Sequence, residues 1–87
     1  MKYLLQIEEG VYKTFKRLEK KNKKQLHIIN KKIKQICENP YHFKPLKGDM
    51  KGSKRVHIDK SFVLIYDVDE SNKIIKIIDY NHHDKIY

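Results

Sequence analysis

Apolar residues recur along this chain with two different periods, and the periods predict the elements of the fold. Residues 8–21 and 23–38 repeat apolar side chains every three or four positions, as an amphipathic helix does. Four shorter stretches show the alternation or the continuous apolar run of a β-strand, and they lie at residues 2–7, 54–59, 62–69 and 74–80. The predicted order is therefore β-α-α-β-β-β.

The breaks between these stretches indicate how the elements pack. Only a short break near Asn22 separates the two helices, so we expect them to form an antiparallel hairpin. Asn39-Pro40 ends the second helix, because a residue before proline disfavours helical backbone. The strand at 62–69 is apolar on both faces and should lie inside the sheet. The sequence thus predicts an α+β fold, with the helix hairpin packed on a mainly antiparallel four-stranded sheet, as a single domain over residues 1–87.

The charge balance narrows the partners of such a domain. Lysine and arginine number 20 against 11 acidic residues, giving a formal net charge of +9. This field attracts polyanions, so nucleic acid, an acidic protein and an anionic membrane are all candidates. Lysines that only solvate the helix faces would give the same count. The helices need their apolar stripes to cover the sheet, and no run approaches the roughly 20 apolar residues of a membrane span, so we expect no membrane partner.

The cysteine content and the N-terminus predict the compartment. Cys37 is the only cysteine, which excludes an internal disulfide, and its helical spacing from Ile33 and Ile36 predicts a buried thiol. The apolar run at the N-terminus is too short for a signal peptide, and Glu8 and Glu9 follow it at once. We therefore expect a cytoplasmic protein.

Arg55 and His57 are the first candidates for chemistry. In a strand, residues two apart project from the same face, about 7 Å from each other. A guanidinium can hold a phosphate through two hydrogen bonds, and an imidazole, which titrates near pH ~6.5, can donate or accept a proton at neutral pH. The pair would suit phosphodiester chemistry, although a solvated polar sheet face would show the same alternation.

Two further groups of residues add to this picture. Lysines interleaved with aromatic residues can hold a nucleic-acid backbone and stack on bases, and the lysines in question are Lys44, Lys47, Lys51 and Lys54. A solvated loop would look the same. The polar C-terminus carries His82, His83 and Asp84, which could fold back towards Arg55 and His57 or, with His57, hold a metal ion. No ligand spacing typical of a metal site supports the second interpretation, so no metal is predicted.

Several short motifs follow one another in a characteristic order. They are Pro45-Leu46-Lys47-Gly48, Lys51-Gly52, Arg55-Val56-His57-Ile58, Phe62-Val63-Leu64-Ile65-Tyr66 and the ending His83-Asp84-Lys85-Ile86-Tyr87. In this order and spacing they resemble the RelE/ParE toxin superfamily, and within it the YafQ-like branch. The motifs cover roughly residues 45–87, and the element order agrees over the whole chain.

The resemblance implies a toxin of a type II toxin–antitoxin system. YafQ-like toxins are ribosome-dependent endoribonucleases that cleave mRNA without a metal or cofactor, and an acidic antitoxin protein holds them inactive. By position, His57 matches the strand histidine of their active site, His83 the C-terminal histidine, and Tyr87 the terminal aromatic. Arg55 and Lys54 fall near the basic residues that many relatives place on this strand.

The chain departs from the pattern at three positions. Lys44 stands where YafQ-like toxins have a histidine, Ser61 where they have an aspartate, and Val63 where RelE itself has an arginine. Asp59 could replace the missing carboxylate. These departures keep open a catalytically weak RNA-binding relative. A ParE-like toxin that inhibits DNA gyrase is a second alternative, because it would share the fold.

The mechanism expected from the resemblance is attack of the ribose 2′-OH on the adjacent phosphorus. His83 and His57 would act as general acid and base, and Arg55 with Lys44 or Lys54 would hold the scissile phosphate. Tyr87 would stack on a base or orient His83. This mechanism requires the two imidazoles to converge on one positively charged hollow.

Overall fold

The structure is a computed structural model that describes residues 3–42 and 53–82. In these two ranges the elements are β1 (Leu4–Ile7), α1 (Glu9–Lys21), α2 (Lys23–Glu38), β2 (Ser53–Ile58), β3 (Phe62–Asp69) and β4 (Ile74–His82). This confirms the predicted β-α-α-β-β-β order and the α+β class. Predicted and observed bounds are identical for α2 and β3.

The strands form one sheet with the order β1-β4-β3-β2. The last three strands make an antiparallel meander, and β1 pairs in parallel with β4. The sheet is therefore mixed but mainly antiparallel, as predicted. The apolar strand β3 lies between two neighbours, whereas β1 and β2 are the outer strands.

Side-chain caps explain where the helices begin and end. Glu8 has an extended backbone and its carboxylate accepts a hydrogen bond from the amide of Val11 at 3.3 Å, so α1 begins at Glu9 and not, as predicted, at Glu8. Asn22 alone joins the helices. The backbone amide of Asn22 donates to the carbonyl of Leu18 at 2.8 Å. Its side-chain oxygen accepts from the backbone amide of Gln25 at 3.1 Å. One residue therefore caps both helices.

The main core lies between the helices and one face of the sheet. Its members share nearly complete burial, and the most enclosed are Ile29, Ile36, Ile58, Leu64, Tyr66, Ile75 and Ile77. Cys37 is only half-buried beside this core, where burial raises the pKa of its thiol. Cys37 was predicted to be buried, and it packs against the core as expected but remains partly exposed.

Two strands end at other residues than predicted, and β1 and β2 also begin at Leu4 and Ser53 instead of residues 2 and 54. β4 continues to His82 instead of stopping at Tyr80, so Asn81 and His82 belong to the sheet and not to a polar tail. The cause is pairing with the start of β3, where Phe62 faces His82 across the ladder and contacts its ring at 5.5 Å. β2 ends at Ile58, and Asp59 leaves the strand with a φ of 56°.

A β-bulge interrupts β4 next to Ile78. Ile65 pairs with Asp79 and Tyr66 pairs with Ile77, so Ile78 is the extra residue. Ile77 and Tyr80 consequently both contact the helix-side core although they lie three positions apart. Ile78 instead contacts Val63 and Ile65 on the other face of the sheet.

Candidate functional site

Arg55 and His57 lie side by side on the sheet face that points away from the helices. Their neighbours Val56 and Ile58 are buried in the helix-side core, which fixes the alternation of β2. Arg55 pairs with Ile65 and His57 with Val63, both of which face away from that core. Arg55 is half-buried and His57 is exposed. The structure thus places a guanidinium and an imidazole on one accessible face, as the sequence predicted.

The surface beside these two residues is apolar and closed. Val63 and Ile65 are 0 % and 1 % exposed, and Ile78 packs against them. At the start of β2, Ser53 is also buried and its hydroxyl donates to the carboxylate of Asp67 at 2.5 Å. An apolar floor of this kind lowers the local dielectric constant, which strengthens the electrostatic interactions of the polar groups beside it.

The far side of this floor carries residues that the sequence did not single out. Two rows of paired residues cross the sheet from β2 to β4. The first row is Arg55, Ile65 and Asp79, and the second is His57, Val63 and Asn81. Two strand spacings separate the members of each row, or about 10 Å between Cα atoms. The register was needed to find them, because the bulge at Ile78 breaks the alternation of β4. Asp79 makes its edge of the floor negative, whereas Arg55 makes the opposite edge positive.

His82 does not join this face. Its strand partner Phe62 packs on the helix-side core, and the ring of Phe62 stacks on Tyr80 at 5.5 Å. His57 and His82 therefore project from opposite faces of the sheet, which argues against a metal site that uses both. Within residues 3–42 and 53–82, no group of three or more histidine, cysteine or acidic side chains is arranged to hold a metal ion.

Lys54 also projects away from Arg55. It pairs with Tyr66 on the helix side of β2, and its ammonium lies 5.3 Å from the centre of the Tyr41 ring. The Tyr41 hydroxyl donates to the carboxylate of Glu70 in the β3–β4 turn. Lys54 and Arg55 therefore lie on opposite faces of β2, and the contact of Lys54 with RNA stays a prediction.

Glu70 is the centre of a polar cluster with Tyr3, Tyr41 and Lys73. The Tyr3 hydroxyl lies 3.0 and 2.9 Å from its two carboxylate oxygens, and Lys73 forms an ion pair with it. Hydrogen bonds from Lys73, Tyr41 and Tyr3 lower the pKa of Glu70 to about 2. The same carboxylate raises the pKa of Tyr41 to about 12. The Glu70 carboxylate therefore stays ionised and the Tyr41 hydroxyl stays protonated throughout the physiological range.

Five predicted site residues fall outside the described residues, and they are Lys44, Lys47, Lys51, His83 and Tyr87. The strand that precedes the last two in the sequence is β4, which ends at His82. β2 and β4 run in the same direction, because each is antiparallel to β3, so both strands end at the same side of the sheet. No helix in the described part is long and apolar enough to span a membrane.

Comparison with known families identifies the class of protein to which this chain belongs. Residues 3–87 match the model of the ParE toxin of type II toxin–antitoxin systems. The chain belongs to this family of toxins, which confirms the resemblance to the RelE/ParE superfamily.

Two archaeal relatives match almost the whole chain. A Methanosarcina mazei protein of uncharacterized function is 51 % identical over 98 % of this chain and 99 % of its own length. A Methanocaldococcus jannaschii protein that carries the name RelE4 is 46 % identical over 98 % of this chain and 90 % of its own length. Because both relatives are similar over 98 % of this chain, the family assignment covers the helices as well as the sheet.

Solved structures share the fold at lower identity. A YoeB/ParE toxin from Agrobacterium tumefaciens superposes with a TM-score of 0.84 at 21 % identity, covering 92 % of this chain and 98 % of that one. The toxin of a YoeB–YefM complex from Staphylococcus aureus gives 0.80 at 24 %, covering 95 % and 99 %. YafQ from Escherichia coli gives 0.74 at 16 %, covering 98 % of both chains. The α+β fold is thus that of YoeB- and YafQ-type toxins.

Proposed function

We propose that this toxin is an endoribonuclease that cleaves mRNA on the ribosome without a metal ion. The observation that carries the proposal is the juxtaposition of Arg55 and His57 on one accessible face, beside a closed apolar floor. A guanidinium can bind the two non-bridging phosphate oxygens, and the neighbouring imidazole can transfer a proton. A toxin that acted only by binding protein would not need this combination.

The reaction requires a general base, a general acid and cationic groups. A base removes the proton of the ribose 2′-OH, the 2′-oxygen forms a bond to phosphorus, and the bond from phosphorus to the 5′-oxygen breaks as an acid protonates that oxygen. Cations must stabilise the charge that develops on the phosphate. We assign proton transfer to His57 and His83, and phosphate binding to Arg55 with Lys44.

The course of the strands supports the pairing of these two histidines. His57 lies near the end of β2, and β4 ends on the same side of the sheet, one residue before His83 in the sequence. Tyr87, four residues further on, is assigned to stacking on a base. Lys47 and Lys51 are assigned to backbone phosphates along the mRNA.

The test is cleavage of mRNA on translating ribosomes by His57→Ala and His83→Ala. Each should lower the rate by about 10²- to 10⁴-fold, the usual contribution of a general acid or base, while RNA affinity stays nearly unchanged. His27→Ala is the matched control. His27 is an exposed histidine on α2, so this variant should cleave mRNA at the wild-type rate. Wild-type rates in both site variants would refute the assignment, and RNA binding without any cleavage would leave a non-catalytic relative.

Inhibition of DNA gyrase is a second candidate, favoured by the ParE description of the matching family model. A shared fold cannot separate the two functions. Purified protein added to a gyrase supercoiling assay distinguishes them. Inhibition together with intact mRNA would favour the gyrase function, and mRNA cleavage with normal supercoiling would favour the nuclease.

We further propose an acidic antitoxin as the protein partner. The net charge of +9 favours an acidic chain, and the related S. aureus toxin was solved in complex with YefM. The outer strand β1 exposes Leu4 and Leu5, at 69 % and 43 %, and offers apolar contact area. Co-expression with the neighbouring open reading frame should yield a complex and relieve growth arrest. Failure of both would count against a toxin–antitoxin pair.

A further inference from the structure

β2 carries the candidate site but is an outer strand, so only β3 pairs with it. Outer strands are held by half as many ladder contacts as inner strands and open more readily. The start of β2 lies directly before Arg55, which makes the side chains that anchor this end relevant to the site.

Side-chain contacts secure this end on both faces of the sheet. On the face of Arg55, the buried hydroxyl of Ser53 donates to Asp67. On the helix side, Lys54 lies over the ring of Tyr41. The residue before Tyr41 is also fixed, since the hydroxyl of the fully buried Tyr66 donates to the carbonyl of Pro40 at 2.6 Å.

Tyr41 is itself held by the turn between β3 and β4, which lies at the same end of the sheet as the start of β2. Its hydroxyl donates to Glu70, which also binds Tyr3 and Lys73. The chain of contacts runs from the β3–β4 turn through Tyr41 to Lys54. It approaches β2 from the helix side, opposite to the face on which Arg55 projects.

We propose that Tyr41 and Lys54 form a positioning pair that fixes the start of β2, and that Lys54 acts on RNA through Arg55 and not as a phosphate contact. The proposal rests on the proposed RNA-directed function for its effect on cleavage. The pair itself rests only on the contacts described above. An ammonium over an aromatic ring at an exposed site contributes enough to change a local opening equilibrium about two- to five-fold.

The first experiment needs no RNA. Hydrogen exchange of the β2 amides, followed by mass spectrometry, should be about two- to five-fold faster in Lys54→Met and in Tyr41→Leu. The double variant should be no faster than either single variant, because both remove the same contact. Lys54→Arg should restore protection, and Lys34→Met, an exposed lysine on α2, is the charge-matched control. Unchanged exchange in Tyr41→Leu, or additive effects in the double variant, would overturn the pair.

The second experiment measures binding of a single-stranded RNA oligonucleotide as a function of salt. Lys54→Met and Tyr41→Leu should weaken binding by the same factor, again without additivity, and cleavage should fall in parallel. A direct phosphate contact predicts instead that Lys54→Met lowers the salt slope by about 0.7 even in the Tyr41→Leu background, which would overturn the positioning role. If the wild-type protein binds no RNA, the proposed function fails while the exchange experiment still decides the pair.

Discussion

The hydrogen bond between Gln25 and Tyr80 offers a direct test of how the helices are fixed on the sheet. The side-chain amide of Gln25 donates to the Tyr80 hydroxyl at 2.7 Å, and the two residues are only 6 % and 7 % exposed. Tyr80→Phe removes the acceptor. The ring contacts with Phe15, at 5.6 Å, and Phe62, at 5.5 Å, remain possible for phenylalanine. The substitution therefore isolates the hydrogen bond.

The expected cost is that of an unsatisfied buried donor, about 1–3 kcal/mol of the free energy of unfolding. Urea unfolding at equilibrium should show a lower midpoint with an unchanged slope. Tyr12→Phe is the control, because Tyr12 is 52 % exposed and its change should stay within about 0.5 kcal/mol.

A double variant makes the reasoning refutable. Gln25→Leu alone leaves the Tyr80 hydroxyl without this donor, whereas Gln25→Leu with Tyr80→Phe replaces both partners by apolar groups. The double variant should therefore be more stable than the sum of the two single effects predicts. Strict additivity, or a Tyr80→Phe variant as stable as the wild type, would show that this bond does not fix the helices.

Two other predictions concern the Glu70 cluster and the helix junction. Because the pKa of Glu70 is lowered from 4.5 to about 2, its contribution to stability is complete above pH ~4.5 and is lost as the pH falls towards 2. The melting temperature of the wild type should thus fall more steeply over this window than that of Glu70→Gln, and parallel curves would contradict the role of the carboxylate. Asn22→Ala should cost about 1 kcal/mol in thermal or urea unfolding, because it removes the cap of α2, whereas Asn30→Ala on the exposed face of α2 should not. Equal stability of these two variants would contradict the capping role.

The sequence predicted the elements well because their patterns are local. The apolar spacing of α2 and the continuous apolar run of β3 gave the observed bounds, since each depends on residues within a few positions. The end of β4 depended on a distant partner, because Asn81 and His82 stay in the strand through pairing with Phe62 and Val63. Such pairing leaves no signal in the residues that it extends.

The candidate site divides in the same way. Alternation in β2 was sufficient to place Arg55 and His57 on one face. Alternation could not place Lys54 over Tyr41, because Tyr41 follows α2 and is 13 positions away in the sequence. Asp79 and Asn81 were missed because the bulge at Ile78 changes which β4 residues share a face.

The parallel pairing of β1 with β4 has a consequence for synthesis. Leu4 leaves the ribosome long before its ladder partner Ile74, which lies in the last strand of the sheet. β1 therefore stays unpaired, with Leu4 and Leu5 in water, until β4 has left the ribosome. Contacts of such long sequence separation slow folding, and the waiting strand is a point at which a chaperone or a co-translated binding protein could engage the nascent chain.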